Sequence, residues 1–138
     1  MEAETVVVVT LVERPVKIVW EKWINPLHII RWNVPFENWH CPKVENDVKE
    51  GGSFNFRMEQ KDGSKGFDHK GTYDNVIPYQ QIGYILEDGR RSVIEFQQID
   101  ENTIVRERFE PEAGTDPDLQ REFCQAVLDR FKQYVEAG

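Results

Sequence analysis

The chain has two cysteines, Cys41 and Cys124, and three histidines. Its start, "MEAETVVVVTLVERP", lacks a basic leading region and a small-residue cleavage site, so a reducing, cytoplasmic setting and free thiols are expected. No apolar run approaches the ~20 residues that cross a bilayer, so no spanning helix is expected. Clusters of basic residues are missing too: the net charge is -8, and Lys and Arg are scattered without an aromatic-interleaved stripe. Such a chain repels nucleic acid and acidic membrane surfaces, and its charge serves solubility.

Motifs for metals and cofactors are equally scarce. His28, His40, Cys41, His69 and Cys124 have no ligand spacing, because His40 and Cys41 are adjacent and adjacent side chains on an extended segment point apart. Gly51-Gly52 is not a phosphate loop, since no Lys-Ser/Thr follows and a strand comes next; a turn or bulge is expected there. No metal, no cofactor and no nucleophile motif is expected.

What is present is globular. With 138 residues, 39% hydrophobic, 30% charged and 12% aromatic, the chain fits one domain spanning residues 1–138. A chain this size buries roughly two-thirds of its unfolded surface. A monomer or weak dimer is expected.

"TVVVVTLV", residues 5 to 12, reads as a strand covered on both sides over much of its extent. Pro15 then suits a first helical turn, with Val16, Val19, Trp20 and Trp23 on one face. Asn25 caps a second short helix with Pro26 in its first position and Leu27, Ile30 and Trp32 as its buried stripe. "VPFENWHCP" has two prolines and no period, which assigns it to loop. From about residue 42 the pattern is one of strands and turns. "SFNFRMEQ" alternates, and Asp62-Gly63 and Asp88-Gly89 mark hairpins. Phe67, His69, Gly71 and Tyr73 share one face, as do Ile82, Tyr84 and Leu86, then Ile94 and Phe96. Thr103, Val105, Glu107 and Phe109 form the inward set of the last strand. Thr115 or Asp116 caps a final helix whose apolar face is Leu119, Phe123, Val127, Phe131 and Tyr134.

The order is a strand, two short helices, six antiparallel strands and a long helix, an α+β architecture in which the concave side of the sheet is buried against that helix. About seven strands around one helix do not fill easily, so a cavity between them is expected.

The motifs "PVKIVWEKWINPLHIIRW", "PKVENDVKEGGSFNFRMEQKDGS", "GFDHKGTYDNVIP", "YILEDGR" and "QAVLDRFKQYVE" resemble the SRPBCC superfamily, also called START-like or birch-pollen-allergen-like. Within it they look like the bacterial branch related to the C-terminal domain of the activator of heat-shock protein 90 ATPase. The resemblance covers residues 6 to 136. It implies a helix-grip fold with a deep, largely apolar pocket under the C-terminal helix, on a scaffold that also hosts carriers, cyclases, hydrolases and co-chaperone domains. Where that branch carries Gly-Trp in the long helix, this chain has Phe123-Cys124, and His69 stands at a position that is usually aromatic. Pocket shape therefore does not transfer from relatives.

The expected function is binding of a small, mainly apolar molecule, as a carrier or sensor. Phe54, Phe56, Met58, Phe96, Val105, Phe123 and Val127 would supply apolar walls. His69, Tyr73, Tyr84 and Glu107 would orient the ligand or satisfy one another. Trp20, Trp23 and Trp32 read as core; alternatively Trp32 borders the pocket entrance with Phe36 and Trp39. An enzyme reading would use His69 as acid or base and Glu107 to orient it. A regulatory module would collapse the pocket and expose an apolar patch near Phe36 and Trp39. A chaperone partner rests on the resemblance alone.

Overall fold

The computed structural model describes residues 5–138; the reading of positions one to four as part of a leaderless start lies outside the described residues. The elements follow in the order β1 (Val6–Val12), α1 (Val16–Ile24), α2 (Pro26–Trp32), β2 (Trp39–Asn46), β3 (Ser53–Gln60), β4 (Gly66–Ile77), β5 (Gln81–Leu86), β6 (Arg91–Ile99), β7 (Asn102–Phe109) and α3 (Pro117–Ala137). The seven strands form one antiparallel sheet in the order β1-β7-β6-β5-β4-β3-β2. The first strand therefore lies beside the last, and the curled sheet grips α3: an α+β helix-grip fold.

Local sequence explains most of these elements. Asn25 ends α1 and starts α2, its side chain accepting a hydrogen bond from the Leu27 amide at 2.9 Å while Pro26 fills the first helical position. Asp116 caps α3 by accepting from the Asp118 amide at 2.9 Å, with Pro117 in the first turn. Strand β4 crosses close to β5 at Gly71, where a Cβ would meet the Ile85 carbonyl oxygen at 2.3 Å, so no larger residue fits there. Gly51-Gly52 forms the expected turn, and its backbone pairs with Tyr73.

The core sits between the sheet and the helices. Trp23 and Trp32 stack at 4.9 Å between ring centres, and both meet Phe131 edge-on at 4.9 and 4.7 Å. Trp20 packs edge-on against Phe96 at 5.2 Å. Edge-to-face packing suits the ring quadrupoles, and the Trp32 indole N–H is satisfied by the Lys22 carbonyl at 2.9 Å. Along the exposed edge of β1, α3 covers the free backbone. Gln125 exchanges hydrogen bonds with Val9 N and O, and Lys132 donates to the Leu11 carbonyl. This removes a pairing edge that would otherwise invite another strand.

Four expectations need correction. Residues 34–42 are not all loop: β2 begins at Trp39, and a register shift between His40 and Lys43 hides its period. Pro42 is tolerated there because β2 is an edge strand. β1 is covered on one side only. Val6, Val8 and Val12 are buried while Val7, Val9 and Leu11 face outward, a two-sidedness that an unbroken apolar run cannot display. The stripe of α2 is Ile29 and Trp32, whereas Leu27 is 72% exposed and Ile30 is outward; "PLHIIRW" is apolar on too many sides to fix a phase. Leu119 is also exposed, because the first turns of α3 do not lie on the sheet.

The corrected phase of α2 is testable by urea denaturation. Ile29→Ala is expected to cost about 2–5 kcal/mol, and Leu27→Ala less than about 0.5 kcal/mol. Equal costs would restore the sequence-based phase.

Candidate functional site

The deepest contacts of α3 are Leu128, Phe131 and Val135, in its C-terminal half. Its N-terminal half overhangs β4 to β7 and leaves a cavity of about 580 Å³, continuous with an inner compartment of about 120 Å³. Phe67, His69, Tyr84, Glu107, Phe123 and Cys124 border both spaces and form the neck between them.

The inner wall is aromatic. Phe54 from β3 packs against Phe56, Tyr73 and Tyr84 with ring centres 4.9 to 5.1 Å apart. It can do so because alternation in "SFNFRMEQ" turns Phe54, Phe56 and Met58 inward together. Val127 closes this compartment from α3. Phe123 lies edge-on to Trp39 at 5.9 Å and 6.1 Å from Phe67. These three rings tie α3 to β2 and β4 along one flank of the cleft.

The polar groups of the neck are not joined in the way a catalytic pair would be. His69 Nε2 and the Tyr84 hydroxyl share a hydrogen bond at 3.3 Å, and Tyr73 donates to Asn46, which in turn donates to the Ile24 carbonyl. The Glu107 carboxyl has no hydrogen-bond or ion-pair partner among the described residues. In register it lies between Val8 of β1 and Ile94 of β6. Burial pushes its carboxyl up to about 7, because the charged form is poorly solvated there. Burial, helped by the nearby Arg90 charge, pushes His69 down to about 4. Burial first and the Glu107 charge second raise Tyr84 and Cys124. At neutral pH the neck therefore holds a neutral imidazole, a neutral phenol and a carboxyl near its midpoint.

The outer rim is charged. Lys70 pairs with Glu87 at 3.1 Å and Arg90 with Asp88 at 2.7 Å. Among the described residues, no three His, Cys, Asp or Glu side chains are grouped to hold a metal ion, no helix is long and apolar enough to cross a membrane, and Cys41 and Cys124 are free.

The structure brings together most of the residues the sequence singled out. Phe54, Phe56, Met58, His69, Tyr73, Tyr84, Glu107, Phe123 and Val127 all border the cavity. Phe96 and Val105 do not: both point inward, but Phe96 lies under Trp20 and Trp23 where the core is full, and Val105 is wholly buried. Of the entrance set, Trp32 is buried at 4% exposure against Trp23 and Phe131 and lines the inner compartment instead of an entrance, Phe36 is exposed away from both compartments, and Trp39 flanks the cleft through Phe123. Phe67 and Arg90 were missed, and Cys124 was singled out only as a departure at the pocket's edge, not as a lining residue. Phe67 was legible from its shared face with His69, and Cys124 from its place beside Phe123. Arg90 lies just past a turn, where no period points to it.

A curled sheet closed over one long helix, with a cavity beneath the helix, defines the helix-grip class. The chain belongs to the family described as Activator of Hsp90 ATPase homolog 1-like protein, whose model matches residues 13–136. It is similar to the AHSA1-like protein from Aeromonas hydrophila, solved by solution NMR, with 34% identity and a TM-score of 0.90 over 97% of this chain and 93% of that one. Chr148 from Cytophaga hutchinsonii shares 38% identity and a TM-score of 0.81 over 98% and 92% of the two chains. Protein CV1439 from Chromobacterium violaceum, at 20% identity, TM-score 0.85 and 96% of each chain, shares the fold. None of the curated proteins matches.

Linkage gives Glu107 and His69 opposite pH windows. A carboxyl raised to about 7 from its ordinary 4.5 contributes stability that is present below 4.5 and lost as pH rises through about 7. A histidine lowered to about 4 from 6.5 contributes stability present above 6.5 and lost as pH falls through about 4. Relative to the parent chain, Glu107→Gln is expected to gain about 2 kcal/mol between about pH 5 and pH 8, and His69→Gln a similar amount as pH falls from about 7 to 4. Urea denaturation across pH checks both; flat difference curves would mean that these groups are solvated when folded.

Proposed function

We propose that this chain binds a small, mainly apolar molecule in the cavity beneath the N-terminal half of α3, as a carrier or sensor built on one domain. The observation that carries the reading is the two-compartment cavity. Its outer space of about 580 Å³ falls within the ~300–1,000 Å³ common for small-molecule sites. Its inner wall of Phe54, Phe56, Met58 and Val127 would supply affinity, and the neck groups His69, Tyr84 and Glu107 would orient the ligand. The helix-grip fold of this family is one of ligand-binding domains, which agrees with that division of labour. The enzyme alternative lacks the link it needs, since His69 bonds to Tyr84 and no hydrogen bond joins it to Glu107.

The test is an amide chemical-shift titration of the labelled chain against lipids, sterols, flavonoids and aromatic polyketides, preceded by solvent extraction of the purified protein. Shifts are expected to gather around Phe54, His69 and Phe123. His69→Ala and Glu107→Ala are expected to weaken binding while the chain stays folded. An empty extract with no cavity shifts would overturn the reading and turn the search to protein partners.

A further inference from the structure

The cavity has an unusual electrostatic asymmetry. Glu107 presents a carboxyl at the neck with no protein group to compensate its charge, and the surrounding apolar wall makes that uncompensated charge costly. The two cations at the rim are already engaged, Lys70 by Glu87 and Arg90 by Asp88. Two further carboxylates, Glu110 and Glu112, border the same opening. Glu110 accepts from the Arg91 amide at 2.7 Å, which leaves its charge in place. An anionic head group entering here would meet an acidic rim and then Glu107, with no free cation to receive it.

We propose that the cavity selects apolar molecules bearing a basic nitrogen, with the ammonium group paired to Glu107 at the neck and the apolar body held by the aromatic inner wall. This inference rests on the ligand-binding reading above and specifies its chemistry. An ammonium–carboxylate pair at this part-buried neck is a charge-assisted hydrogen bond, stronger than the bond an alcohol could make. The rings of Phe54, Phe56 and Tyr84 add faces and edges that tolerate a nearby cation or an aromatic tail. The inner compartment of about 120 Å³ takes a ring or a short chain, and the outer space takes the remainder.

The pairing also fixes a pH dependence. The groups facing Glu107 are His69 from β4, Tyr84 from β5, Arg90 beyond the β5–β6 turn and Cys124 from α3, while its neighbours on β1 and β6 are Val8 and Ile94. His69 is neutral well above about 4. Tyr84 and Cys124 are held protonated by burial. Within the neck, Glu107 alone changes charge near neutrality. Amine binding holds it ionised, so affinity for an amine is full above about 7 and falls as pH drops below it.

The experiment uses the full chain and three probes that share one apolar body: phenylbutylamine, phenylbutanol and phenylbutyrate. Their dissociation constants would be measured by chemical-shift titration at about pH 7.5. The amine is expected to bind about tenfold tighter than the alcohol, with the carboxylate weakest, a preference equal to about 1.4 kcal/mol. Glu107→Gln should bring amine and alcohol within about threefold of each other. If that variant does not fold, the pH series on the parent chain decides: amine affinity should fall about fivefold or more from pH 8 to pH 5.5 while alcohol affinity stays level. Equal binding of the three probes, or an amine preference that survives Glu107→Gln or ignores pH, would overturn the head-group inference and leave ligand binding standing. No cavity shifts with any probe would overturn this inference, and an empty library titration beside it would overturn the proposed function as well.

Discussion

The uneven docking of α3, deep at its C-terminal end and shallow at the other, is the constraint on which the molecule depends. A helix of 21 residues is about 31 Å long, and the aromatic clasp of Trp23, Trp32 and Phe131 holds its C-terminal half against α1, α2 and the sheet. Lys132 fastens the same stretch to β1 through the Leu11 carbonyl, and Gln125, just before the helix midpoint, does so through the Val9 carbonyl. The N-terminal half, after the Asp116 cap, spans the open side of the curled sheet, propped by the Phe123 contacts to Trp39 and Phe67 and by the Gln125 bonds to Val9. The cavity is therefore the space left by a helix that is anchored firmly at one end and propped lightly at the other.

That arrangement explains which features of the sequence were legible. Alternation turned Phe54, Met58, Tyr73, Tyr84 and Glu107 inward, and the structure agrees because each belongs to a strand with one face on the concave side. Alternation assigns a face but not a depth along the strand. Phe96 and Val105 share the inward face with the cavity residues, yet they lie where the clasp fills the space. Leu119 shares the apolar stripe of α3 with Phe131, yet it sits where the helix has left the sheet. Whether an apolar residue packs or lines a void depends on where the helix lifts away, a tertiary property that neither period contains. The start of β2 was read as loop for a local reason, since its register shift next to Pro42 breaks the alternation that identifies a strand.

The tryptophan-rich stretch "WEKWINPLHIIRWN" follows the same logic. Its rings are core side chains of the clasp, and Trp23 and Trp32 also wall the inner compartment, so they bear on the site both by fixing where α3 is held and by closing its inner end. The Phe123-Cys124 pair, at the neck itself, acts directly. Phe123 narrows the passage between the two compartments, and Cys124 is small enough to leave room opposite Glu107. Belonging to a family therefore defines the grip and the cavity's location, while a few side chains of this chain define what the cavity can receive.

The polar chemistry concentrates in one group. Tyr73 is satisfied by Asn46, His69 and Tyr84 satisfy each other, and the rim cations hold rim carboxylates. Of the neck's polar groups, Glu107 is the one left part-buried without a protein hydrogen-bond or ion-pair partner among the described residues, and the account of the site as a place for a cationic, apolar ligand stands on that isolation. The most direct measurement is a carbon NMR titration of the Glu107 carboxyl in the ligand-free chain. A midpoint near 7 is the result this account requires. A midpoint near the ordinary 4.5 would mean that water or a protein cation already compensates the charge, and the selective neck would not exist.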